Sequence, residues 1–324
     1  MFDAYKNCPV LVTGGAGFIG SHLVRGLLAA GAAVRVMDNL SNGSQENLRE
    51  VRETIDFHEA DITNAAACAK AAAGRQVVFH LAALGSVPAS VEQPVKYNTV
   101  NAGGTLNVLE AARQAGVRRL VYSASSSAYG ESPALPKVES MNPAPKSPYA
   151  VGKLVGEYYA RVYSEVYQLS TVCLRYFNVF GPRQNPNSQY AAVIPAFITS
   201  LLNNQRPRIY GDGGQTRDFC HVDNVVYANM LGGISTKPLA GDMVNIACGQ
   251  NISLNAMLQR MQEVLGTNIQ PEYLPGRLGD VRDSLADISA AKTVLNYEPK
   301  IYFNAGLEET VRWFKDHHRA APNA

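Results

Sequence analysis

Short apolar runs rich in β-branched residues recur through the first half of the chain, at Val10–Thr13, Val34–Met37, Val77–His80, Leu120–Ser123 and Thr171–Leu174. Between them, His22–Ala30 and Gly104–Ala115 carry apolar residues at helical spacing, and each is followed by a glycine, Gly31 or Gly116, suited to a helix C-terminus. Such alternation leaves few solutions, because parallel strands joined by helical crossovers must be covered on both faces. Right-handed crossovers then predict an α/β fold with a doubly wound, Rossmann-type parallel sheet. After about Asn178 the texture changes: Gly181-Pro182, Asn185-Pro186, Arg206-Pro207 and Gly213-Gly214 interrupt shorter elements. The expectation is a sheet domain over 1–177 and a smaller mixed α/β domain over 178–324. Return segments near 219–248 are expected in the main sheet, from the apolar Val222–Leu231 and the strand-like Met243–Ile246.

The first predicted strand runs into Thr13-Gly14-Gly15-Ala16-Gly17-Phe18-Ile19-Gly20 and then into a helix. Gly14 permits a tight turn, Gly17 lets the backbone approach a pyrophosphate, and Gly20 allows close helix–strand packing, while the helix N-terminus favours negative charge. A glycine pattern alone is weak. Here Asp38 ends the second strand at the spacing expected of a ribose ligand, and a carboxylate that accepts from ribose hydroxyls repels a 2′-phosphate. The expected cofactor is therefore NAD rather than NADP. Asp61-Ile62, after a third apolar stretch ending in Phe57, either flanks the adenine or is simply the polar end of a strand. Leu81-Ala82-Ala83 offers small side chains along the cofactor's path, and Asn101 begins the following helix.

Ser147-Pro148-Tyr149 reads as a helix start, with Ser147 at the N-cap. Tyr149 and Lys153 then share one helical face. A phenol whose ordinary pKa is about 10 is a poor base, and a neighbouring ammonium lowers that value. A bare Tyr/Lys spacing usually marks only a helix face. The hydroxyl run Ser123-Ala-Ser125-Ser126-Ser127, at the carboxyl end of the fifth strand, raises it to a candidate proton-transfer site.

Composition excludes several other classes. The 324 residues are 46% hydrophobic and 17% charged, with a formal net charge of +2 and no long basic run to wrap nucleic acid or an acidic membrane surface. Cys8, Cys68, Cys173, Cys220 and Cys248 are scattered without metal-ligand spacing, so neither a metal site nor a disulfide frame is expected, and a reducing cytoplasm is. Neither a signal peptide nor a membrane span is expected.

The motifs TGGAGFIG, DNLSNG, HLAA, SASSSAYG, SPYAVGK, LRYFNVFGPRQ, RDFCHVDN and GDVRDSLADIS occur in the order seen in extended short-chain dehydrogenases/reductases. Over nearly its whole length the chain resembles the nucleotide-sugar 4-epimerases of that family. The resemblance implies that Gly14, Gly17, Phe18, Ile19, Gly20, Asp38, Asn39, Asp61, Ile62, Leu81, Ala82, Ala83, Asn101 and Tyr176 hold NAD. It implies that Tyr149 is the base, that Lys153 holds the nicotinamide ribose and that Ser125 assists proton transfer. Hydride would leave C4 of the sugar, the 4-keto sugar would turn over, and hydride would return to the other face.

By the same resemblance Asn178 contacts the substrate near its phosphates, Arg217 and Arg277 clamp the pyrophosphate, and Val193, Tyr210 and Asp280 hold the uridine, so the expected partner is a UDP-sugar. Ser126 and Ser127 stand where dehydratases and decarboxylases on this fold carry acidic residues, which favours epimerisation. Ala192 and Ser284 are small where enzymes restricted to non-acetylated sugars carry larger side chains. Gly85, Ser86, Ser127, Asn178 and Gln184 agree with the pattern of UDP-N-acetylglucosamine 4-epimerases. UDP-glucose and UDP-uronic acids remain alternative substrates, and polysaccharide synthesis would suit the chemistry. Val155, Tyr158, Tyr159 and Val162 are compatible with a second apolar face on the Tyr149 helix, buried either in a homodimer or within the monomer.

Overall fold

The computed structural model describes residues 2–186, 192–276 and 282–318. Its centre is a sheet of β1 (Pro9–Thr13), β2 (Ala33–Asp38), β3 (Asp56–Glu59), β4 (Val77–His80), β5 (Arg119–Ser125), β6 (Ser170–Tyr176) and β7 (Ala240–Ile246). The spatial order is β7-β6-β5-β4-β1-β2-β3, and every neighbouring pair is parallel. Strand order reverses between β1 and β4, which opens a crevice at their carboxyl ends where sheets of this kind receive ligands. The expected Rossmann-type α/β fold is thus the one observed.

Period-two alternation sends β1's Val10 and Val12 into one core layer and Leu11 into the other. The first layer is closed by α1 (Phe18–Ala29), and the second by α2 (Ala65–Ala72), α3 (Thr105–Gln114) and α4 (Pro148–Tyr167). Gly31 and Gly116 take positive φ just beyond α1 and α3, as a helix-terminating glycine does. Two local expectations shift. The third strand begins at Asp56 rather than closing at Phe57, because it pairs only with β2 and carries too little apolar pattern to mark its start. Asn101 lies inside a π-helical turn, Asn98–Gly104, that precedes α3.

Beyond β6 the chain leaves the sheet. Helices α5 (Val193–Leu202), α7 (Leu254–Leu265) and α8 (Phe303–His317) enclose a separate core of Phe180, Phe197, Phe219, Met257, Phe303 and Leu307. Between α5 and α7 the chain comes back: α6 (Val222–Ile234) packs on α1, and β7 pairs with β6.

Asp218 fastens this excursion to the sheet. Fully buried, its carboxylate accepts the backbone N–H groups of Cys248 and Gly249 at 3.0 Å and of Ala286 at 3.2 Å. Burial nevertheless pushes its pKa up to about 6 against those donors. Asp218→Ala would orphan several buried N–H groups at once, and should destabilise the protein by roughly 3 kcal/mol or more. Urea unfolding followed by circular dichroism measures this, and a loss below about 1 kcal/mol would show that the loops do not depend on Asp218.

Candidate active site

Helix α4 is fixed at its start and along its length. The Ser147 hydroxyl accepts the Ala150 N–H at 3.2 Å, with Pro148 at the first helical position. Along the helix, Gly156 lies so close to the Tyr122 ring of β5 that a Cβ there would fall 2.3 Å from the phenol oxygen. The same buried phenol donates to the Lys153 carbonyl at 3.2 Å. With the helix this near, the Lys153 ammonium reaches the Ser123 carbonyl at 2.7 Å and stands 5.2 Å from the Tyr122 ring centroid. Burial lowers its pKa to about 8, while Glu157 one turn on acts to raise it.

Tyr149 and Ser125 come within reach of each other, and contact with the Ser125 hydroxyl acts to lower the pKa of the phenol. That hydroxyl also accepts the N–H of Ser127 at 3.2 Å and its O–H at 2.9 Å. The electrostatics differ from expectation. Burial raises the Tyr149 pKa, contact with Ser125 opposes the rise, and Tyr97 adds to it. The chain's own groups therefore hold a neutral phenol, because the ammonium expected to lower it is aimed at the Ser123 carbonyl.

At the β1–α1 turn, Gly14 has φ +72°, and a Cβ on it would lie 2.6 Å from the Ala82 nitrogen. A Cβ on Gly20 would lie 2.1 Å from the Gly14 carbonyl oxygen. Gly17 begins α1 without a side-chain cap, leaving the first N–H groups of the helix, at Phe18 and Ile19, open to an anion. Asp38 accepts the Ala16 N–H at 2.9 Å and the Leu40 N–H at 2.8 Å, one on each oxygen, so each oxygen keeps a lone pair. These residues fit a dinucleotide. Asn39 donates to Asp61 at 2.6 Å, and Ile62 is buried beneath Gly104. Asn101 bonds both backbone groups of Leu84, at 2.9 and 3.0 Å, and so shapes the segment after Leu81, Ala82 and Ala83. The Tyr176 hydroxyl joins Ser123 and Asn229.

The sequence reading missed three contributors here. His80, on β4, spans Thr13 of β1 at 2.7 Å and Thr105 of α3 at 2.9 Å, and since burial drives its pKa to about 3 it is a neutral strut between that strand and that helix. Tyr122 lies within the Leu120–Ser123 run, where nothing in the local pattern marks its contact with α4. Arg175, inside the quoted LRYFN motif, makes a bidentate pair with Glu157 at 2.8 and 2.7 Å. None of the three has a short-range signal, because each partner is remote in sequence.

On the substrate side, Gly85 faces open space, Ser86 caps the short helix Val87–Glu92, and Ser126 is half-buried. Asn178, at φ +20°, donates to the Asp218 carbonyl at 3.2 Å, and Gln184 to that of Val179 at 3.1 Å. Tyr210 ends a strand paired with Glu272–Leu274. Arg217 uses one nitrogen on the Thr216 and Arg282 carbonyls, at 2.8 and 2.9 Å. The Ser284 N–H bonds the Thr216 carbonyl at 3.1 Å, so Ser284 and Arg217 sit side by side. Ala192 is exposed ahead of α5, whose first residue is Val193. Arg277 and Asp280 lie outside the described residues.

Fold and turn together define a Rossmann-type α/β protein built around a dinucleotide. Residues 10–247 match the model of the NAD dependent epimerase/dehydratase family. The chain belongs to that family, within the extended short-chain dehydrogenases/reductases, whose cofactor is NAD. It is 41% identical to a UDP-glucose 4-epimerase of Mycolicibacterium smegmatis, over 94% of this chain and 98% of that one. It is 37% identical to a UDP-glucuronate 4-epimerase of Thermodesulfobacterium geofontis, over 94% and 96%. A solved structure of a UDP-N-acetylglucosamine 4-epimerase from Methanobrevibacter ruminantium, in complex with UDP-N-acetylmuramic acid, is 42% identical with a TM-score of 0.92, covering 97% of this chain and 100% of that one.

The Gly156 contact yields a direct test. Gly156→Ala must move α4 or the Tyr122 ring, and catalytic turnover should fall roughly 10- to 100-fold, on top of an overpacking cost of about 1–3 kcal/mol in stability. Wild-type turnover in a folded variant would show that the close approach does not set the site.

Proposed function

We propose that this protein is a nucleotide-sugar 4-epimerase that interconverts UDP-N-acetylglucosamine and UDP-N-acetylgalactosamine. Its Tyr149–Ser125–Ser127 hydroxyl chain ends where the sheet receives ligands, and its relatives are named for 4-epimerisation of UDP-sugars. Tyr149 takes the proton of the sugar 4-hydroxyl, directly or through Ser125, only as a phenolate, a form that its buried setting disfavours and that the positive nicotinamide ring of bound NAD would favour, and it later returns the proton. When bound, NAD would supply a hydride acceptor and donor for C4, so the reaction would involve no net oxidation. Lys153, tethered to the Ser123 carbonyl, places a positive charge on the Tyr149 side of β5. Gly14, Gly17 and Asp38 hold the cofactor in this reading, and Asn178, Tyr210 and Arg217 hold the UDP.

What supports the acetamido sugar is the pair of small residues, Ala192 and Ser284, with Ser284 backbone-bonded beside Arg217. A bulky side chain at 284 would project next to the arginine assigned to the pyrophosphate. Ser284→Tyr should abolish turnover of UDP-N-acetylglucosamine and spare that of UDP-glucose. NMR assays of UDP-glucose, UDP-N-acetylglucosamine and their 6-carboxylates side by side check this, and undiminished acetamido-sugar turnover in the variant would refute the assignment.

The working unit in this proposal is a homodimer. Tyr158 and Val162 on α4 are 55% and 44% exposed, and Val91 and Val95, on short helical segments packed against α4, are 64% and 78% exposed. Apolar exposure so concentrated calls for a covering surface. Glutamates at both Tyr158 and Val162 should convert a dimer to a monomer in light scattering, whereas a wild-type monomer at micromolar concentration would defeat the dimer.

A further inference from the structure

Around Lys153 the groups able to carry charge come from four elements. They are His80 on β4, Tyr122 on β5, Cys173, Arg175 and Tyr176 on β6, and Tyr149 and Glu157 on α4 itself. Burial keeps His80 an uncharged imidazole, and holds the phenols of Tyr122, Tyr149 and Tyr176 and the thiol of Cys173 protonated. Among the described residues, that leaves the ion pair of Glu157 and Arg175, with Glu139, whose own pKa burial raises, beyond Arg175. Both side chains of the pair are sealed from solvent, at 0% and 1% exposure.

The pair is held tightly. Arg175 donates through Nε at 2.8 Å and Nη2 at 2.7 Å to the two Glu157 oxygens, and Nη2 also meets the Met243 sulfur of β7 at 3.4 Å. The guanidinium carbon stands 4.7 Å from the Tyr129 ring centroid, while Nη1 has no hydrogen-bond partner among the described residues. Removing two charges from water is costly, and a stable core would be served as well by two apolar side chains. The geometry therefore calls for a role beyond packing. Glu157 follows Lys153 by one helical turn, so it shares a face with Lys153 and Tyr149.

We propose that Glu157 and Arg175 are positioning residues for the reacting centre: Arg175 pins the Glu157 carboxylate from β6, and that carboxylate is the buried counter-charge of the Lys153 ammonium. The inference rests on the reading of Lys153 as part of the reacting site. Without Glu157, the ammonium would share a sealed interior with an unopposed guanidinium. Lys153 would then surrender its proton at lower pH and release the Ser123 carbonyl. Arg175 alone would have the opposite effect, since its removal leaves Glu157 acting on Lys153 undiluted.

The test reads Lys153 itself. In protein carrying lysine labelled with carbon-13 at Cε, the resonance lost in Lys153→Met is followed by NMR as pH rises, alongside the alkaline limb of kcat. Wild type should titrate near 8. In Glu157→Gln both midpoints should fall by about one pH unit or more, with KM for the UDP-sugar little changed. The double variant Glu157→Gln/Arg175→Met leaves no unpaired guanidinium and should fall between wild type and Glu157→Gln, which keeps the test alive if the single variant does not fold. Unmoved midpoints in the variants, with only a lower melting temperature, would reduce the pair to a structural brace. If Lys153→Met instead retained full epimerisation, the reading of the site would fail while the NMR result stood on its own.

Discussion

The close seating of α4 on β5 is the constraint on which the rest of the site depends. Gly156 is small because Tyr122 occupies the space a side chain would need, and Tyr122 is held because its hydroxyl has the Lys153 carbonyl to bond. From that seat Tyr149 meets Ser125, Lys153 meets Ser123 and Glu157 meets Arg175, three successive turns of helix against two neighbouring strands. A helix lying an ångström farther out would keep its amphipathic face and lose all three. Precision of this kind comes from regular elements, since their backbones are over-determined by ladder hydrogen bonds.

Polarity inside the sheet layer is managed by keeping nearly everything neutral. His80, Tyr122 and Cys173 sit in the same sealed region, and burial holds each in its uncharged form. A charge introduced into such surroundings is felt strongly, since little water screens it. The ammonium of Lys153 is therefore a large electrostatic influence on the reacting edge, and its tether to a backbone carbonyl fixes where that influence acts.

Much of this could be read from the residues alone. The strand–turn–helix with Gly14, Gly17 and Gly20, the Asp38 terminus of β2 and the Ser147 cap are local patterns whose meaning is set within a few residues. What escaped is long-range. Arg175 and Glu157, His80 with its two threonines, and Asp218 with the loops at 248 and 286 are pairings decided by the order of strands. The edge strand β3 was misplaced because too little of it is apolar. The phenol of Tyr149 illustrates a different limit: spacing located it beside Lys153, but the direction of the ammonium depends on how deep α4 sits.

The return of β7 also bears on how the chain reaches its fold. Residues 170–176 pair on one side with β5, already made, but their other edge waits for Ala240–Ile246. Until Ile246 is synthesised, a run of unpaired N–H and C=O groups beside Val172, Cys173 and Leu174 is open to any passing strand, including that of a sister chain. Once in place, β7 becomes the permanent border. It is unsuited to further pairing, with a register irregularity between Ala240 and Asp242 and an acidic side chain at that point. The last strand thus doubles as a guard on the growing sheet.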